Sequence, residues 1–239
     1  MKPIQLLARD AQELALWRAA DEIANAFPVG SWTLIGAQMV FLLAYEHGLV
    51  VGRTSGDVDM LVNIRALTGA TQAAAGMLER LGYELDEPTP DGRGHRFRRA
   101  DAVVDVLAPD GVGSRASLIT VPPARTVNVP GGSQALARSR QVGVELEGKR
   151  HTLPCPSLLG AILLKARAVE VGEDADKHRR DLALLLSALE DPRSLREELS
   201  ASEKGWLRRR QEMLAISHPA WRGVGRGDDA RTSLEILAG

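Results

Sequence analysis

The chain has 239 residues, of which 44% are hydrophobic and 26% charged, with 30 Lys and Arg against 31 Asp and Glu. That balance fits an ordinary globular protein with a real core and excludes a chain that is basic throughout. The 4% aromatic content excludes rows of stacking platforms for single-stranded nucleic acid. A single cysteine, Cys155, excludes an internal disulfide and an all-thiolate zinc site. It reads as a small buried thiol. Met1 to Asp10 lacks the apolar core of a signal peptide, and no apolar run approaches the ~20 residues that span a bilayer, so the expected location is the cytoplasm, with no membrane partner.

Residues 9–26 carry Leu14, Leu16, Trp17, Ala20 and Ile23 near a 3.6-residue period and predict a helix stopped by Pro28-Val-Gly30. Trp32 to Ile35 reads as a short strand, and residues 38–47 as a buried helix ending at Gly48. Arg53 to Asn63 begins as a turn and continues as a strand. Residues 66–81 form an Ala-rich helix ended by Gly82, followed by a strand at Tyr83 to Leu85. Residues 86–94 are a Pro- and Gly-rich loop. His95 to Arg99 and Ala102 to Leu107 read as paired strands turning at Ala100-Asp101.

Residues 109–133 are rich in Pro and Gly, with extended pieces at Leu118 to Val121 and Thr126 to Val129. Gly111-Val-Gly113 and Pro130-Gly-Gly132 read as loops only. Val142 to Leu146 and His151 to Leu153 predict a hairpin through Glu147-Gly148-Lys149. Residues 157–171, 175–190, 192–200 and 203–216 then read as helices, with Ser157 as an N-cap and Pro192 in a first turn. The Gly- and Arg-rich tail after His218, with its short apolar piece Leu234 to Leu237, is expected to be loosely held. No internal repeat is visible. The expected organisation is an α/β domain at residues 1–154 with a mixed sheet, followed by an all-helical domain at 155–239.

Asp57 and Asp59 carry the first chemical signal. Two apart at a strand start, they project to one side of the sheet while Val58 points into the core. Carboxylates held that close repel, and a divalent cation relieves the repulsion. An all-oxygen set suits Mg²⁺ or Mn²⁺ rather than Zn²⁺. Asp105 interrupts the apolar strand Ala102-Val-Val-Asp-Val-Leu107, a costly place for an unpaired charge. Three carboxylates can hold two cations, one clamping a triphosphate and the other activating an attacking hydroxyl.

Alone, an Asp-x-Asp pair more often marks a solvated strand end. The surroundings strengthen the chemical reading. Gly36-Ala37 ends a strand and opens a helix, where backbone N–H groups can cradle phosphate. Arg53, Thr54, Ser55 and Gly56 lead directly into Asp57. Lys165 interrupts the apolar run Leu158 to Ala168, and Asp181 precedes the run Leu182 to Leu186. Such a pair on adjacent helices is expected to meet, either as a structural ion pair or as part of a site. Arg96, Arg98, Arg179, Arg180, Arg208, Arg209 and Arg210 could track RNA phosphates but individually read as solvated faces. Trp206 and Trp221 read as packing residues.

Leu34-Ile-Gly-Ala-Gln38, the motif Arg53-x-Ser55-x-Asp57-x-Asp59, and the later strand bearing Asp105 resemble the polymerase-β-type nucleotidyltransferase fold. More narrowly, Leu163-Leu-Lys165-Ala-Arg167 and Lys177-His-Arg-Arg-Asp181-Leu182 make the chain similar to the AbiEii-type toxins of bacterial type IV toxin–antitoxin systems. The similarity spans about residues 30–190. Two positions depart from that pattern: the usual Gly-Gly or Gly-Ser is Gly36-Ala37, and His178 stands where Asp is frequent.

The resemblance implies transfer of a nucleoside monophosphate from an NTP to an RNA acceptor such as a tRNA 3′ end. Asp57 and Asp59 would bind Mg²⁺ or Mn²⁺, and Asp105 would complete the metal site or act as general base on the acceptor hydroxyl. Gly36, Ala37, Arg53, Ser55, Lys165 and Lys177 would bind the nucleotide, and Asp181 would orient Lys165 or the base. A cognate antitoxin would be a partner, with Ser55 the first hydroxyl to examine for modification. Two other readings stay open: transfer to a small molecule of the aminoglycoside type, and a non-catalytic binding module. Three crowded carboxylates argue against the module.

Overall fold

The computed structural model describes residues 2–113, 116–171 and 174–239, and shows a mixed α/β architecture. The short strand β1 (Ile4–Gln5) precedes α1 (Ala11–Ala26), which starts where the Asp10 side chain accepts from the Glu13 N–H at 2.7 Å. Leu16, Trp17, Ala20 and Ile23 turn its apolar stripe into the core. Strand β2 (Trp32–Ile35) runs directly into α2 (Gly36–Glu46), whose residues from Ala37 to Ala44 are all buried. Strand β3 (Val58–Val62) follows, then α3 (Ala70–Arg80). This helix begins four residues later than predicted. The Asn63 carboxamide accepts from the Arg65 and Ala66 N–H groups and holds a turn there, and Gly69 at φ 65° sets the start.

Strands β4 (Glu84–Leu85), β5 (Arg96–Arg99) and β6 (Ala102–Pro109) complete the left of the sheet, and β7 (Asn128–Val129) pairs with the end of β6. Of the two extended pieces predicted in residues 109–133, only this one forms a strand. Ile119 makes an isolated bridge to Arg125, and residues 114–115 lie outside the described residues. The short helix α4 (Gly132–Ala137) corrects the reading of Pro130-Gly-Gly132 as loop only. The Asp110 carboxylate accepts from the Gly131 and Ser133 N–H groups at 2.7 and 3.0 Å, so this helix start is already capped by the protein.

Strands β8 (Ser139–Leu146) and β9 (Lys149–Pro156) form the predicted hairpin, three residues longer at each outer end. Glu147 and Gly148, at φ 51° and 75°, are its two-residue turn. The first sheet has the order β2-β3-β6-β5-β4, with β3 parallel to β6 and the other pairs on this path antiparallel. The second has the order β1-β8-β9. The Ser139 hydroxyl donates to Thr33 Oγ1 at 2.8 Å and ties it to β2.

Helices α5 (Leu158–Ala168), α6 (Ala175–Ser187), α7 (Pro192–Glu197) and α8 (Ala201–Arg208) follow. The capping box of Ser200 and Glu203 starts α8 two residues before the predicted position. A 3₁₀ turn at Gln211–Leu214 replaces its predicted last turns. Strand β9 runs to Pro156, past residue 154, and one apolar cluster takes residues from both sides of that point. Among the described residues no helix is long and apolar enough to cross a membrane.

The tail is not loosely held. Pro219–Trp221 forms a 3₁₀ turn, with the Trp221 indole donating to the Met213 carbonyl at 2.7 Å. Residues 227–238 form α9 (Gly227–Ala238), which buries Ala230, Leu234 and Leu237. That i, i+4, i+7 spacing is a helical stripe, and Arg208 closes the end by donating to the Ala238 carbonyl at 2.8 Å. Leu234→Ala is expected to cost about 3 kcal/mol in urea unfolding, because the side chain is wholly buried. A loss below about 1 kcal/mol would mean that the helix does not pack there.

Candidate active site

The parallel pairing of β3 with β6 sets Asp59 opposite Asp105, and the antiparallel pairing of β6 with β5 sets Asp105 opposite Arg96. Asp57 stands one residue before β3. The three predicted carboxylates therefore converge on one end of the sheet. Asp105 is buried, while Asp57 and Asp59 are half-buried. Ser55 is buried beside them and its hydroxyl donates to the Asp57 carbonyl at 3.1 Å.

Arg96, read from the sequence as a solvated face, belongs instead to this cluster. Its Nε donates to Asp105 Oδ1 at 2.8 Å, and its Nη2 donates to Asp105 Oδ2 at 2.7 Å and to Asp57 Oδ2 at 3.0 Å. A planar fork suits this bidentate contact, and the hydrogen bond to Asp105 holds the guanidinium firmly charged. The signal was present. A two-residue turn at Ala100-Asp101 pairs Arg99 with Ala102, and counting outward brings Arg96 to Asp105.

One guanidinium leaves the cluster with excess negative charge, and Asp59 carries it. Among the described residues Asp59 accepts no hydrogen bond. Its pKa is raised to about 7 by burial, then by Asp57 and Asp105, with Lys165 and Lys177 pulling the other way. The native protein thus binds a proton that the unfolded chain, with an ordinary carboxyl near 3.8, has released. Stability is fullest below the unfolded value and falls as pH rises toward 7. Asp59→Asn is expected to raise the thermal midpoint of the metal-free protein at pH 8 by about 5 °C and to leave it unchanged at pH 4. The same gain at both values would show that Asp59 does not titrate between them.

The Asp59 carboxylate also fixes Gly36. A Cβ at Gly36, which sits at φ 67° and opens α2, would lie 1.6 Å from Asp59 Oδ2 and 2.6 Å from its Cγ. Only glycine lets the first turn of α2 approach this carboxylate. Gly36→Ala is expected to displace Asp59 and destabilise the fold by about 2 kcal/mol or more, read in urea unfolding. Unchanged stability would contradict the close approach.

In the helical half, α5 carries Lys165 and α6 carries Asp181, both buried, with Nζ 2.8 Å from Asp181 Oδ2. Arg53 adds a fork that the sequence did not reveal. Its Nε and Nη2 donate to Asp181 Oδ1 at 2.9 and 2.7 Å, and Nη2 donates to Oδ2 at 2.7 Å. Burial works against ionisation of Asp181, but Lys165 and Arg53 more than offset it and hold the carboxyl below its ordinary value. Arg53, predicted as a nucleotide contact, is thus committed to Asp181 and stacks over Phe41 with its ring centroid 5.1 Å away. His178 is pushed down to about 4 by burial and then by Lys165, so it adds no cation at neutral pH. Lys177 is half-buried, and its charge reaches Asp59. Ala37 is buried in the first turn of α2.

The donor set is all oxygen, and Asp59 lacks any donor, which suits a hard divalent cation. Among the described residues, however, no three His, Cys, Asp or Glu side chains form a ready-made metal cage. Arg96 fills the place between Asp57 and Asp105, with its side chain 41% exposed, so a cation bridging these two carboxylates would have to displace it. Of the other predicted cations, Arg209 and Arg210 pair with Glu170, Arg179 with Glu212 and Asp176, and Arg98 with Asp86. These are structural partners rather than free phosphate contacts. Trp206 packs under Arg167 and Trp221 is bonded to Met213, both as packing residues. Cys155 is wholly buried, which pushes its thiol up.

Comparison of the chain with protein-family models, with curated proteins and with solved structures finds no match.

Proposed function

We propose that the protein is a Mg²⁺- or Mn²⁺-dependent nucleotidyltransferase of polymerase-β-like fold that transfers a nucleoside monophosphate from an NTP to an RNA acceptor. The observation that carries this is the convergence of Asp57, Asp59 and Asp105 at one sheet end, with Asp59 raised to about 7 by burial and by its two carboxylate neighbours. Asp57, Asp59 and Asp105 would hold the metal, which would supply charge neutralisation for the departing pyrophosphate. Asp105 would take the proton of the acceptor hydroxyl, which requires that Arg96 be displaced from it. Lys165, paired with Asp181 at 2.8 Å, would meet the triphosphate together with Lys177. Ser55 and the first turn of α2 supply neutral donors there.

The similarity to AbiEii-type toxins makes a toxin acting on tRNA the specific form of this reading, with a cytoplasmic site of action and a cognate antitoxin. Transfer to an aminoglycoside-type polycation is the weaker form. The cavity next to Asp181 presents Arg180 and Arg222, which repel such a substrate. The test is incubation with Mg²⁺, each labelled NTP in turn, and total tRNA. Label in RNA that depends on Mg²⁺ supports the reading, and the absence of label from every NTP contradicts it.

A further inference from the structure

A cavity of about 260 Å³ opens beside the Arg53–Asp181 pair, between α2, residues 50–53, α6 and residues 220–224. Its apolar lining is Val40, Phe41, Val51, Leu184 and Val224, of which Leu184 and Val224 are half-buried and the other three buried. Val50 at its edge is 88% exposed. Arg180 and Arg222 also line it, and both are exposed. Among the described residues neither makes a side-chain hydrogen bond or ion pair, unlike Arg179, Arg208, Arg209 and Arg210 nearby in sequence. The wall formed by residues 218–224 is anchored, since the Trp221 indole is bonded to Met213.

An apolar recess of this size is close to the lower limit for small-ligand pockets, so it holds one planar group rather than several. Two unpaired guanidinium groups beside it call for anionic oxygen. A planar apolar group joined to a phosphate is a nucleotide unit. None of Asp57, Asp59, Asp105 or Ser55 lines the cavity, which shares only Arg53 and Asp181 with the site. A donor triphosphate belongs at the carboxylates with Lys165 and Lys177. The phosphate met by Arg180 and Arg222 lies instead in the open, as it does in a strand that continues into solvent. We infer that this cavity is the acceptor subsite: the base of one nucleotide of a single-stranded RNA seats against Leu184 and Val224, with Val50 covered, and its phosphate lies on Arg180 and Arg222. The choice of ligand rests on the nucleotidyl-transfer reading.

The experiment compares full-length wild type, the double variant Arg180→Glu/Arg222→Glu, and Val50→Glu. All three changes are at exposed positions outside the catalytic cluster, and unchanged thermal midpoints verify folding. Binding of a fluorescein-labelled single-stranded RNA is followed by anisotropy in EDTA, where no transfer occurs. Binding of ATP with Mg²⁺ is measured separately without RNA. At least a tenfold loss of RNA affinity in both variants, with ATP affinity within twofold of wild type, is the result expected. The double variant should also show a flatter salt dependence, by about 1.4 or more in the slope of log affinity against log salt for two lost contacts. Loss of ATP binding with RNA binding intact would place the donor base in the cavity and overturn the assignment. Unchanged binding of both, or no RNA binding by wild type, would overturn it as well. Wild type that binds RNA through these residues but incorporates no label would instead defeat the transfer reading and leave the RNA site standing.

Discussion

Asp57→Ala yields a folded protein whose nucleotide transfer has fallen on the order of a thousandfold or more. Folding survives because Asp57 is half-buried and its carboxylate accepts only from Arg96, which keeps its two contacts to Asp105, and from the Ser55 hydroxyl at 3.5 Å, which keeps its contact to the Asp57 carbonyl. Removing this charge also relieves Asp59, whose raised pKa owes its second-largest contribution to Asp57. The thermal midpoint of the metal-free variant at neutral pH should therefore match or exceed that of wild type. Transfer, by contrast, loses one of the few ligands a metal can have here. Activity of the purified variant within tenfold of wild type would mean that Asp57 is no more than a strand-end charge.

Asp181→Ala has the largest expected effect on stability, about 3–5 kcal/mol. It strands Lys165, whose side chain is only 5% exposed, with a buried charge and no partner. The reverse change is milder. Lys165→Met leaves Asp181 in the fork of Arg53, with three contacts between 2.7 and 2.9 Å, and fills the space of the lysine stem. Its cost should be about 1–2 kcal/mol, with transfer nonetheless lost. Urea unfolding of the two variants reads the difference. Equal destabilisation would show that Arg53 does not hold Asp181 by itself. A Lys165→Met variant with wild-type transfer would reduce the pair to a structural tie.

The strands bearing the carboxylates were readable because β-branched runs broken by single charges have few explanations. Asp105 in the middle of β6 is the clearest of them. The alternation rule was enough to bring Asp57 and Asp59 to one side, and the paired charges on α5 and α6 met as their positions in apolar runs required. Arg96 reads singly as a solvated face although its pairing was legible: the turn at Ala100-Asp101 fixes its register with Asp105, and only the counting was missing. Arg53 could not be read. Its contact with Asp181 spans 128 residues and depends on how α6 packs beside α2. The helix α9 was misread because Gly and Arg dominate its approach, although Ala230, Leu234 and Leu237 carry the period. The close approach of Gly36 to Asp59 was invisible for a similar reason. A glycine at a strand–helix junction advertises backbone freedom, not the carboxylate that needs the space.

The central claim is that Asp57, Asp59 and Asp105 hold a divalent cation for transfer, and it can be tested before any acceptor is known. Isothermal titration of the metal-free protein with Mn²⁺ at pH 7.5 is the most direct measurement. The account predicts saturable binding of one or two ions, accompanied by proton release from Asp59 and abolished by Asp57→Ala. No saturable binding by wild type, or equal binding by wild type and Asp57→Ala, would contradict it.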